Sequence, residues 1–151
     1  MKKLMLVAVL TLVVLASVVV TAACKKNEEK SDLIFEVNFT KSILGEDYYV
    51  DSRIVKSVEE LNVTIGVFEF DDVLQKYNEN FFSSKSVVVF SFNISGSNQR
   101  EIESIRLENS ELVIKYKINN YPGTGGLYSE IIFIEVDKNC VAGATSIRGE
   151  L

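Results

Sequence analysis

From residue 33 onward the hydrophobic and polar positions alternate, change period and alternate again, and each change marks an element. Leu33, Phe35, Val37 and Phe39 alternate with Ile34, Glu36, Asn38 and Thr40, which is the two-residue period of a strand with one buried face. A turn at Leu44-Gly45-Glu46-Asp47 leads to a second strand over Tyr48 to Val55. Ser57-Val58-Glu59-Glu60 then has the spacing of a capping box, in which the serine accepts from the first turn and the glutamate reaches back, so a short helix starts there. Val63 to Phe70 returns to strand composition, with Gly66 as a bulge. Asp71 and Asp72 suit a helix start, and Val73, Leu74, Tyr77 and Phe81 recur at helical spacing, which predicts a helix over 72–80.

Ser86 to Ile94 is apolar on both faces, the pattern of a strand in the middle of a sheet. Ser95-Gly96-Ser97-Asn98 is a turn sequence, after which Ile102 to Leu107 is expected to run back antiparallel. A tight turn at Glu108-Asn109-Ser110-Glu111 precedes an amphipathic strand of Leu112, Ile114, Tyr116 and Ile118, with Lys115 and Lys117 on its other face. Ile131 to Val136 is a second continuous apolar strand, and Val141 to Ile147 predicts a weak last one at an edge. The pattern predicts an α+β, β-rich fold: a mostly antiparallel sheet or partly closed barrel of about eight strands with two short helices.

Ahead of this region, Lys2 and Lys3 precede twenty residues without a charge, Leu4 to Ala23, which end in Thr21-Ala22-Ala23-Cys24. A basic start, an apolar stretch and small residues before a cleavage point are the parts of a secretory signal. The last four residues resemble the lipobox of bacterial lipoproteins, with Thr21 where leucine is usual and Cys24 as the lipidation site. The expected organisation is a signal peptide over 1–23, a lipidated Cys24 and polar spacer over 24–32, and one extracytoplasmic β-rich domain over 33–151, held on the cell membrane by lipid. An uncleaved anchor over 4–23 and release by ordinary signal peptidase are the alternatives. Lipidation has a physical basis, since each buried methylene contributes about 0.8 kcal/mol and two or more acyl chains hold a domain on a bilayer.

Composition narrows the chemistry. Removing Lys2 and Lys3 from the 16 basic residues leaves 14 against 21 acidic ones, a net side-chain charge of −7 that repels phosphate backbones. Nucleic acid is therefore not an expected partner. The chain has no histidine, so histidine-dependent triads and histidine zinc sites are impossible. Cys24 and Cys140 are its two cysteines, and a lipidated Cys24 leaves Cys140 no intramolecular disulfide partner. No nucleophile and base can be paired, so no catalytic residues, cofactor or metal are expected, and the protein is read as a non-enzyme.

The loop Asn119 to Gly126 holds Pro122, the one proline, and three glycines. It lacks the Lys-Ser/Thr of a phosphate-binding loop, and its residues Tyr121, Pro122, Gly123, Thr124, Gly125 and Gly126, with Tyr128, are protein-contact candidates. Glu69, Asp71 and Asp72 lack the spacing of a calcium loop and suit helix capping better. Tyr48, Tyr49, Tyr116, Tyr121 and Tyr128 form either ordinary sheet-edge packing or an aromatic platform for a small ligand.

Tyr77-Asn78-Glu79-Asn80-Phe81-Phe82, the strand Ser86 to Ile94, Ser95-Gly96-Ser97, Pro122-Gly123-Thr124 and Ile134-Glu135-Val136-Asp137-Lys138 follow one another in a familiar order. In this half of the chain the sequence resembles the C-terminal domain of the PrcB-like protease-complex lipoproteins. Gly126-Leu127-Tyr128 stands where related sequences carry a Trp-bearing segment. The resemblance implies a lipid-anchored, non-catalytic accessory subunit that stabilises an extracytoplasmic protease complex. The alternative is an envelope domain that binds a small ligand through the 119–128 loop and nearby tyrosines.

Overall fold

The computed structural model of the chain describes residues 32–44, 50–66, 68, 70–95, 99–119 and 127–151, the side chains of 44, 94, 95, 99, 127 and 128 excepted. The alternation after Leu33 gives β1 (Phe35–Leu44), and a three-residue β2 (Arg53–Val55) follows. Three helices come next, α1 (Val58–Ile65), α2 (Asp71–Lys76) and α3 (Glu79–Phe82). The chain then runs through β3 (Lys85–Ser95), β4 (Gln99–Glu108), β5 (Glu111–Asn119), β6 (Leu127–Asp137) and β7 (Ser146–Glu150).

Two sheets result, one in the order β1-β6-β3-β2 and one in the order β4-β5-β7. Among the described residues every pairing is antiparallel except β5 with β7. Neither sheet closes on itself, so the fold is α+β and β-rich without the barrel. The four-stranded sheet is a middle layer. Its Val87, Val89, Ile131 and Phe133 face the helices, where Leu61, Ile65, Val73, Tyr77 and Phe82 complete one core. Val88, Phe90, Ile132, Ile134 and Val136 face the other way and pack on Ile105, Leu112 and Ile114 of the second sheet. This explains why β3 and β6 are apolar on both faces while β5 alternates.

Several elements differ from the sequence reading for identifiable reasons. The strand expected over Val63 to Phe70 is instead the end of α1 and the link after it. Ser57 caps that helix by accepting from the Glu60 N–H, the Glu60 carboxylate accepts from the Lys56 N–H, and Leu61 and Ile65, four apart, are buried. Val63 is left 70% exposed. Gly66 is no bulge but the cap residue of α1, with φ of 53°, a torsion that favours glycine. The helix expected over 72–80 is broken at Tyr77, and Asn78 caps a new one by accepting from the Phe81 N–H. β4 runs back as expected but pairs with β5 rather than β3, crossing to the second sheet. Of the strand expected over Tyr48 to Val55, only Arg53–Val55 is a strand among the described residues. Val141 and Ala144 are buried as turn residues, and the last strand begins at Ser146.

The outer face of the second sheet is a lattice of charge. Arg106, Val113 and Arg148 lie side by side across three strands, and Val113 is buried between the arginines, whose stems are long enough to cover it. Arg106 pairs with Glu108 and Glu150, and Arg148 with Glu111 and Glu150. On the inner side of β7, a Cβ on Gly149 would lie 2.9 Å from ring atoms of both Phe90 and Tyr116. Those rings are locked in an edge-to-face cluster with Phe92. Gly149→Ala should therefore lower stability by about 1–3 kcal/mol, the usual cost of overpacking. Urea unfolding of the variant beside the parent measures it, and an unchanged midpoint would show that the rings yield freely.

Candidate functional site

The strand register separates the two ends of the molecule. At one end Phe35 opens β1 opposite Val136, Lys85 opens β3 opposite Asp137, and the Leu33 N–H donates to the Ile105 carbonyl of β4. The N-terminal chain enters here. At the other end Leu44 and Ile94 flank Tyr128, Ser95 meets Leu127, and Gln99 meets Asn119. The strand ends Leu44, Ser95, Gln99, Asn119 and Leu127, which flank the connections 45–49, 96–98 and 120–126, all lie at this second end, the loop rim. β1 spans ten residues between the two ends, about 30 Å at the usual rise.

Just inside that rim lies an ion pair that sequence reasoning missed. Arg100, in the first turn of the alternation in β4, and Glu130, near the start of β6, both point between the sheets. The Arg100 Nη1 is 3.7 Å from the Glu130 Oε2, with the side chains 11% and 3% exposed. The guanidinium lies over the Phe92 ring, 4.3 Å from its centroid, and 5.8 Å from that of Tyr116. At this separation no hydrogen bond forms between the two charges. Arg100 Nε and Nη1 and Glu130 Oε2 are buried without hydrogen-bond partners. Burial pushes the Glu130 pKa up, and the charge and backbone N–H of Arg100 offset this only in part.

β6 carries a second buried carboxylate on its opposite face, and the contrast is informative. Glu135 accepts from Asn38 at 2.7 Å, from Lys76 at 2.7 Å and from Lys85 at 2.8 Å. Burial works against its ionisation, yet the hydrogen bonds from Lys76 and Lys85 outweigh it and hold the carboxyl below the ordinary range. The neighbouring Tyr77 hydroxyl is raised by burial and by the Glu135 charge. This cluster lies at the chain-entry end, where the Glu135 carboxylate has three donors while the buried Tyr77 hydroxyl has no hydrogen-bond partner. It is a structural clamp between β6, α2 and β3.

The other candidates from sequence fall as follows. Cys24 and Tyr121, Pro122, Gly123, Thr124, Gly125 and Gly126 lie outside the described residues, as do Tyr48, Tyr49 and Glu69. The Tyr128 backbone sits in β6 between β1 and β3 at the loop rim. Tyr116 packs on Phe90 and Phe92 beside Arg100. Asp71 and Asp72 stand in the first turn of α2, where Phe70 rather than either aspartate is the cap residue, and Asp72 pairs with Lys41. Among the described residues no three acidic or cysteine groups gather as a metal site. None of their helices is long and apolar enough to cross a membrane. A shallow open depression of about 490 Å³ along β2, lined by Asp51, Arg53, Lys56 and Glu60 among others, carries balanced charge. No family model, curated protein or solved structure matches the chain.

The two carboxylates should respond to pH in opposite senses. Because the Glu135 pKa is lowered on folding, its stabilisation is present above the unfolded-state value of about 4.3 and is lost as pH falls through the folded one. Glu135→Gln should cost about 1–3 kcal/mol at pH 7, with the gap to the parent narrowing below about pH 4. Arg100→Met leaves Glu130 buried alone and should cost about 3 kcal/mol at pH 7. Glu130 has a raised pKa, so its folded form gains relative stability as pH falls toward the unfolded value, and this second deficit should shrink on going from pH 7 to pH 5. Denaturant titrations at four pH values separate the two, and parallel profiles would contradict the assignment.

Proposed function

We propose that this protein is a membrane-anchored bacterial lipoprotein, non-catalytic, that holds a protein partner outside the cytoplasm at its loop-bearing end. The observation that carries the reading is the opposition of the two ends: the chain enters the domain at one and three inter-strand connections leave from the other. A lipid on Cys24 and the spacer to residue 32 would join the membrane to the entry end, leaving the loop rim turned outward. The contact candidates Tyr121 to Gly126 fall in sequence between Asn119 and Leu127, two strand ends at that rim, where the Tyr128 backbone also stands. The partner that the resemblance to PrcB-like accessory lipoproteins implies is an extracytoplasmic protease. Tethering would act through local concentration, since confining two partners to one surface raises apparent affinity without new contacts.

The test is mild crosslinking of the tagged protein in its own cells, with acyl labelling and mass spectrometry, for the parent and for Cys24→Ala. The parent is expected to carry label and to recover one reproducible extracytoplasmic partner. Cys24→Ala should lose the label and lower partner recovery about a hundredfold, the scale set by lost tethering. Label that persists in Cys24→Ala would reject lipidation there. Recovery of the parent alone would reject a stable complex.

A further inference from the structure

We infer that the free edge of β2 takes up an extended segment of the protein partner, which adds there as a further short strand and is read through its backbone. The inference deepens the reading of a partner-holding domain and rests on it. β2 is an end strand of its sheet and pairs with β3 alone. The direction of its peptide groups follows from Ser52. The Ser52 hydroxyl accepts from the Ser91 N–H at 3.0 Å and donates toward the Ser91 carbonyl at 3.5 Å, so Ser91 turns both peptide groups toward the β2 side. Alternation along β3 turns those of Val89 and Val87 the same way, onto Arg53 and Val55. The N–H and carbonyl of Ile54, between them, therefore point away from the sheet. Two residues on, the Lys56 N–H shows the same direction, since it is taken from outside by the Glu60 carboxylate at 2.6 Å. An oxygen acceptor from the chain itself thus fills the next place on this edge, and Ile54 stands open beside it.

The place can be reached from solvent. The depression of about 490 Å³ is lined by Asp51, Ser52, Arg53, Ile54, Lys56 and Glu60, so it runs along this same edge. Its chemistry selects the class of ligand. Two carboxylates and two cations balance in the lining, which gives no preference for a charged group, while Ile54 offers one donor and one acceptor side by side. A strand backbone presents the matching acceptor and donor at the same spacing. Charge argues against a second copy of the chain, because each would bring a net side-chain charge of −7, Lys2 and Lys3 aside. In sequence the 45–49 connection leads from Leu44 at the loop rim to this edge, so a partner held at the rim has the edge within reach. One open residue gives weak binding by itself, and a partner already held nearby supplies the local concentration it needs.

The experiment uses the full-length, isotope-labelled chain in detergent, with an acetylated and amidated pentapeptide of alternating threonine and valine as the probe. Titrated into the millimolar range suited to so small a contact, the peptide should move the Ile54 amide proton downfield along a saturable curve, with smaller movements at Arg53 and Lys56. The same peptide N-methylated at every peptide bond has lost its peptide donors and should move that proton at least tenfold less. Ile54→Pro removes the outward N–H at an edge position, where proline is tolerated, and in it the Arg53 and Lys56 responses should fall at least tenfold. If that variant does not fold, the comparison of the two peptides on the parent decides. Equal responses to the two peptides, or silence of Ile54 toward both, would overturn the assignment. So would an Ile54 shift that grows with protein concentration alone and follows a dimer in sedimentation, which would seat a second copy on the edge. Crosslinking reads the partner and this titration reads the edge, so either can fail alone.

Discussion

The structure depends on the burial of β6 from both sides. Every residue from Ser129 to Val136 is buried, and β6 is paired along both edges, with β1 on one and β3 on the other. A strand in that position needs two covering layers. The helices supply one and the β4-β5-β7 sheet the other, and each fully buried Ile, Val or Phe contributes about 1.5–3 kcal/mol toward holding them. Phe133 shows the arrangement on the helix side, with Phe39, Phe70 and Tyr77 rings all within 6.4 Å of it. The same constraint makes any charge on β6 consequential, because neither face offers water. Glu130 and Glu135 are the two exceptions, one toward each layer and one near each end.

That central layer was legible in the sequence because two-sided burial removes alternation. Ser86 to Ile94 and Ile131 to Val136 are continuous apolar runs, whereas Leu112 to Ile118 alternates with lysines that do face solvent. The capping box at Ser57 was legible too, since it is a purely local arrangement. Val63 to Phe70 misled because its β-branched and aromatic residues favour a strand locally, while tertiary burial of Leu61 and Ile65 decided for helix. The pairing of β4 with β5 instead of β3 was not readable, since periodicity reports which face is buried and is silent on the neighbour. The Arg100–Glu130 pair joins residues on strands of different sheets and has no local spacing at all. Its one trace in the sequence is a charge at an inward position, Arg100 in register with Ile102 and Glu130 directly before an apolar run.

The surfaces differ in what they leave for a partner. The outer face of the second sheet satisfies itself, with Lys115 on Glu103, Lys117 on Glu101, and the two arginines on Glu108, Glu111 and Glu150. Exposed pairs of this kind add little stability, about 0–1 kcal/mol each, yet a partner that covered them would have to desolvate the whole lattice. The long edges are also blunted. β1 has a register shift between Val37 and Phe39, β4 has one between Ile102 and Ser104, and Leu33 occupies the Ile105 carbonyl on the β4 edge. Such irregularities discourage another strand from adding there.

The middle layer itself holds one buried carboxylate near each end, and the two are partnered differently. At the entry end Glu135 has three donors and Lys138 donates to the Phe82 carbonyl, while the Tyr77 hydroxyl and Ser86 Oγ are buried without partners. Under the proposed anchoring, a tether at the entry end would pull on β1, which shares nine register positions with β6. At the rim the pair under Phe92 and Tyr116 is left short of partners. A buried polar group without a partner costs the isolated domain about 1–3 kcal/mol, so a substitution that removes such a group at either end without leaving its neighbour unpaired should raise stability rather than lower it.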